Sequence, residues 1–108
     1  LLDGDVILPA DGESINERRK LAIYGHISVS VVLQKGRCIG THIAYRGVPV
    51  EDDREQFLED LNEAAEKAAD KPAKDFDARK ENIRLGVRRV ATEWTGKKPI
   101  TDVLIVEI

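Results

Sequence analysis

The apolar residues of this chain change their spacing twice, and that change constrains the fold more than any other feature. Between His26 and Tyr45 they alternate; between Asp53 and Trp94 they recur every three or four residues; from Thr101 to Ile108 the short period returns. A period of two marks strands with one covered face, and a period of 3.6 marks amphipathic helices. The expected order is strand, strand, helix, helix, strand.

His26 to Leu33 is the clearest strand. Ile27, Val29, Val31 and Leu33 share one face, and Ser28, Ser30 and Val32 share the other. Lys35-Gly36 then predicts a hairpin, with Gly36 supplying a positive φ. The second strand, Arg37 to about Tyr45, sets Ile39, Thr41, Ile43 and Tyr45 against Cys38, Gly40, His42 and Ala44; Gly47 and Pro49 end it. Asp53 is the expected N-cap of the first helix, and Gln56 three residues on completes a capping-box pattern. Phe57, Leu61, Ala64, Ala65 and Ala68 form its apolar stripe, and Pro72 stops it. The second helix begins near Asp75 or Asp77 and places Phe76, Ile83, Val87, Val90 and Trp94 on one face, with Gly96 as its C-cap. Bases toward its C-terminal half suit the helix dipole. The last strand, Thr101 to Ile108, is apolar on both sides at Val103-Leu104-Ile105-Val106, which predicts cover on both faces.

The fold class expected is therefore α+β: a three-stranded mixed sheet with two helices on one face. Two antiparallel helices return the chain to the end of the sheet it left, so the last strand runs parallel to the first and antiparallel to the second. The first strand is the more apolar of the hairpin pair and belongs in the centre. The expected core is Ile27, Val29, Val31, Phe57, Leu61, Ile83, Val87, Val90 and Trp94. Residues 1–22 read as an irregular lead-in, in which Val6-Ile7-Leu8 forms an edge strand or docks on a neighbour; residues 23–108 read as the domain.

Of the 108 residues, 42% are hydrophobic and 34% charged, a globular balance with no apolar run near the ~20 residues of a membrane span. There is one cysteine, Cys38, and no methionine. A lone thiol fits a reducing cytosol, and the missing initiator points to an excised domain. The net charge of −3 hides an uneven distribution: acids crowd residues 51–70, and bases crowd residues 79–98.

Few residues suggest chemistry. His26, Cys38 and His42 are the soft metal ligands, yet Cys38 and His42 stand about 13 Å apart along one strand, too far for a single ion. Asp52 and Asp53 read as a solvated acidic surface rather than an acid–base pair. Ser14, Ser28 and Ser30 lack a nucleophile elbow. No catalytic or metal residue is assigned. The basic stripe stands above this background: Lys80, Arg84 and Arg88 recur at intervals of four, and Arg89, Lys97 and Lys98 extend the charge. Such a face can neutralise phosphates or meet a partner; its plain alternative is a solvated face beside the acidic helix.

Several stretches resemble the ribonuclease J family. Glu17-Arg18-Arg19-Lys20-Leu21-Ala22, Gly25 and the strand Ile27-Ser28-Val29-Ser30-Val31-Val32-Leu33 resemble the junction after that family's β-CASP region. Ile43-Ala44-Tyr45-Arg46-Gly47-Val48 and the final Lys97-Lys98-Pro99-Ile100 continue the likeness, although Tyr45 and Pro49 depart from the pattern. The resemblance implies the C-terminal domain of a cytoplasmic RNA-degrading and RNA-processing enzyme with endonuclease and 5′-to-3′ exonuclease activity. It implies zinc in an absent metallo-β-lactamase catalytic domain and no cofactor here. The implied role is self-association, as dimer or tetramer, in support of the parent's activity, with RNA met through the parent and no membrane involved. The alternative is an accessory RNA-binding module that uses the basic second helix.

Overall fold

The structure, a computed structural model, describes residues 25–50 and 52–108. The expected lead-in, residues 1–22 with its Val6-Ile7-Leu8 patch, lies outside them. The chain forms β1 (His26–Gln34), β2 (Arg37–Arg46), α1 (Arg54–Asp70), α2 (Phe76–Thr95) and β3 (Ile100–Glu107). The sheet order is β2-β1-β3. β1 pairs antiparallel with β2 and parallel with β3, as the return through two helices requires. The hairpin turns through Lys35 (φ 52°) and Gly36 (φ 79°), the pair of left-handed residues that a tight turn between twisted strands needs.

Both helices cover one face, α1 chiefly over β2 and α2 over β3. β1 gives the core Ile27, Val29, Val31 and Leu33, all nearly or fully inaccessible. Phe57, Leu61, Ala65 and Ala69 come from α1, Ile83, Val87 and Ala91 from α2, and Val103 and Ile105 from β3. Val90 and Trp94 pack on this core but are only partly buried. Phe57 sits between two other rings, edge-on to Tyr45 at 5.2 Å and to Trp94 at 5.5 Å. The Trp94 indole donates to Asp60 Oδ2 at 2.9 Å and ties the two helices together.

The local details correct several expectations. Cys38 pairs with Leu33 and Gly40 with Val32, so a bulge leaves Ile39 without a partner and 54% exposed. Cys38 packs against the core, so strict alternation fails at this point of β2, and its N–H donates to Asp70 Oδ1 at 2.8 Å. Asp53 enters α1 in the left-handed region (φ 59°), where its side chain makes no cap; only its carbonyl accepts, from Phe57 N–H. Gln56 bonds forward to Asp60 instead of back to the cap. Asp75 does cap α2, accepting from Ala78 N–H at 2.7 Å, and Gly96 ends it at φ 73°. Phe76 is 48% exposed because it lies in the first turn, beyond the core-facing run of Ile83, Val87 and Ala91. The last turn of α2 holds no base; Arg88 and Arg89 lie further back. Among the described residues β3 is covered on one face only, with Leu104 59% and Val106 41% exposed on the other.

Candidate functional site

The side of the sheet away from the helices is without a cover among the described residues. Side chains alternate along a strand, so burying Ile27 to Leu33 on one side sends Ser28, Ser30 and Val32 to the other. Cross-strand register then builds rows across the sheet. Gly40, Val32 and Val106 form one row; His42, Ser30 and Leu104 the next; Ala44, Ser28 and Asp102 the third. Beyond these lies Arg46, opposite His26. The His26 ring bonds Asp102 Oδ2, an ion pair whenever the imidazole is protonated. Half of this face is thus apolar or small; Arg46 and Asp102 stand toward the Gly25 end. Arg37, opposite Gln34, closes the hairpin end.

The six bases of the stripe do not form one surface. Lys80, Arg84 and Arg88 recur along one flank of α2, whereas Arg89 is turned about 100° from Arg88. Arg89 lines an open groove of about 620 Å³ between the helices, with Asp60 and Glu63 on its far wall and Gly86 in its floor. Arg84 is engaged within its own helix: it meets both oxygens of Glu81, at 2.9 and 2.6 Å. That hydrogen-bonded pairing raises the Arg84 pKa and lowers that of Glu81. Lys97 and Lys98 follow the helix in the loop before β3, where Lys97 N–H bonds Thr95 Oγ1. Arg79, at the start of the basic run, is a structural link. Its guanidinium donates to Ala69 O at the end of α1 and, at 3.4 Å, to Gly36 O in the hairpin turn.

His26, Cys38 and His42 stay apart. His26 and His42 lie on the open face but in different rows, and Cys38 faces the helices. Burial pushes the Cys38 thiol pKa up, with Asp70 and Glu66 adding to the rise against a bond to Gly40 O. Among the described residues no cluster of three or more His, Cys, Asp or Glu could hold a metal ion. No described helix is long and apolar enough to cross a membrane. The signal for the open face was present in the sequence as the double-sided apolar character of β3; the bulge and the Arg79 link were not visible there.

Residues 13–108 match the family model of the ribonuclease J C-terminal domain. The chain is also similar to a ribonuclease J from Sinorhizobium meliloti, at 34% identity over 113 aligned positions. That alignment covers 98% of this chain, which spans only about a fifth of the length of its relative (20%).

Proposed function

The chain belongs to the ribonuclease J C-terminal domain family, and from that premise we propose that it is a non-catalytic assembly domain within a larger cytoplasmic ribonuclease. In this reading the RNA-degrading and RNA-processing chemistry, endonucleolytic and 5′-to-3′ exonucleolytic, and the zinc that serves it belong to the remainder of the parent. The domain supports that activity by holding copies of the parent together. The observation that carries the reading is the apolar part of the sheet that no described residue covers, at Leu104 and Val106 beside the half-buried Val32. A chain seldom leaves such a patch to water, and symmetric pairing is the commonest way to close it.

The alternative, a basic helix that guides RNA, is weakened by the split of the basic residues between two sides of α2 and by the Arg84–Glu81 pair. Sedimentation and RNA cleavage by the parent enzyme, with and without this domain, test the proposal. Removal is expected to lower both the assembly state and the activity. If neither changes, the assembly role is wrong. Weakened RNA binding by an Arg88→Glu variant, steep in salt, would then favour the RNA-guiding role.

A further inference from the structure

The two outer edges of the sheet are unlike. β2 carries a bulge at Ile39 and an arginine at either end, Arg37 and Arg46, and bulges and charges are the ordinary guards of an edge strand. β3 is bare. Its register with β1 runs unbroken from Ile100 to Glu107, it holds no proline, and Val103 to Val106 is uncharged. Among the described residues it has one neighbouring strand. Ile100 N–H donates to Gly25 O, and Ile108 N–H to Leu33 O. Alternate residues of a parallel strand bond toward the same side. The even-numbered residues of β3 therefore face β1, while Thr101, Val103, Ile105 and Glu107 turn their N–H and C=O groups outward.

The basic stripe stands over this edge. α1 packs over β2 and α2 over β3, so the flank of α2 away from α1 overhangs the outer side of β3. Gly86, Val90 and Glu93 line the groove toward α1. At about 100° per residue from the buried Val87, these three turn to one side, and Arg84 and Arg88 turn to the other by about 60° and 100°. We propose that the β3 edge receives an extended acidic segment of another protein as a fourth strand, whose carboxylates meet Arg84 and Arg88.

A row of alternating N–H and C=O groups is matched by another backbone. RNA phosphates only accept, and they would set negative charge against the outward carbonyls. The side chains of an added strand alternate between its faces. Those on the helix side come beneath the two guanidinium groups, and those on the other side extend the apolar rows of Leu104 and Val106. A segment that alternates acidic and apolar residues fits both. Glu81 already engages Arg84, so the charges select and orient the partner while main-chain bonds hold it. A second copy of this chain does not supply the acids, because its β3 offers Thr101, Val103 and Ile105 to that side before Glu107 at its end. The edge is a different surface from the helix-free face, so the inference stands apart from the self-association proposed above.

Nuclear magnetic resonance of the isotope-labelled 108-residue chain tests the proposal, with synthetic peptides alternating valine and glutamate, or valine and lysine, as probes. The glutamate peptide should shift the amides of Val103 and Ile105 and slow their hydrogen exchange. The lysine peptide should bind about tenfold more weakly. N-methylation of alternate amides of the glutamate peptide should abolish binding, since the charges remain and the main-chain bonds are lost. An Arg84→Gln, Arg88→Gln double variant, shown to be folded by circular dichroism, should lose about fivefold in affinity for the glutamate peptide. Equal binding of the two peptides, undiminished binding after N-methylation or by the double variant, or no response at Val103 and Ile105 at millimolar peptide overturns the proposal. So does slow exchange of those two amides in the dilute chain alone, which would mean that the chain's own residues cover the edge. Protection that rises with chain concentration would assign the edge to a second copy, and the same shifts with single-stranded RNA would assign it to nucleic acid; either result overturns the acidic strand.

Discussion

Arg79 shows how one side chain can join elements that the sequence separates. Helix ends leave carbonyls without partners, and its guanidinium occupies one of them at Ala69 while reaching the hairpin turn at Gly36. Arg79→Met keeps much of the aliphatic stem and removes the donors. The expected loss is about 1–2 kcal/mol, read as a lower urea midpoint with an unchanged slope. Gly25 is fixed by a different constraint. Its φ is +86°, and a Cβ there would stand 2.7 Å from the backbone of Gly47. Gly25→Ala should therefore cost about 2 kcal/mol or more, seen as a fall in thermal midpoint. Cys38 permits a chemical measurement. Burial and the nearby acids of α1 keep its thiol protonated beyond the usual range. Its reaction with a disulfide reagent at pH 8 should be slower than that of a free cysteine, and equal rates would mean that the β2 bulge is more open than described.

At the scale of elements, α1 and α2 approach along small residues. A Cβ added at Gly86 would meet Ala68 Cβ at 3.6 Å and Ala64 O at 3.7 Å, which is ordinary contact. Nothing here requires glycine, and alanine is the better helix former. Gly86→Ala should stabilise the domain by about 0.5–1 kcal/mol, raising the midpoint of a domain of this size by several degrees. A lower midpoint would show that the helices pack more tightly than described. The element order and the central place of β1 were legible because period and chain return are local and geometric facts. The course of β2 was not. Alternation set Ile39 on one face with Thr41, Ile43 and Tyr45, but a bulge breaks the register there, beside the bond from Cys38 N–H to Asp70, more than thirty residues away. The capping box at Asp53 failed because the backbone enters α1 in the left-handed region, where the side chain makes no cap bond. Part of the site was readable without a structure. Arg88 and Arg89 are adjacent and so cannot share a helix face. The pairing of Arg84 with Glu81 matches spacing already in the sequence, whereas the rows that unite Arg46, His26 and Asp102 required the sheet register.

For the molecule as a whole, the core is one layer between sheet and helices, and Val87 lies fully buried within it. Val87→Asp would place a carboxylate there without a partner. The variant should be unfolded at room temperature by circular dichroism, and a cooperative melt near that of the unaltered chain would contradict the packing. The sheet order has a further consequence, for the timing of folding. β1 is made before the other described elements, yet its second neighbour, β3, lies more than seventy residues later. The hairpin and the two helices can form from local contacts, but the central strand keeps a bare apolar edge until the final segment arrives. Closing so long a loop slows folding, and an uncovered edge invites pairing with other chains meanwhile. A nascent chain halted at Pro99 should therefore aggregate rather than settle into a smaller fold, because the strand that completes the sheet is made after the other four described elements.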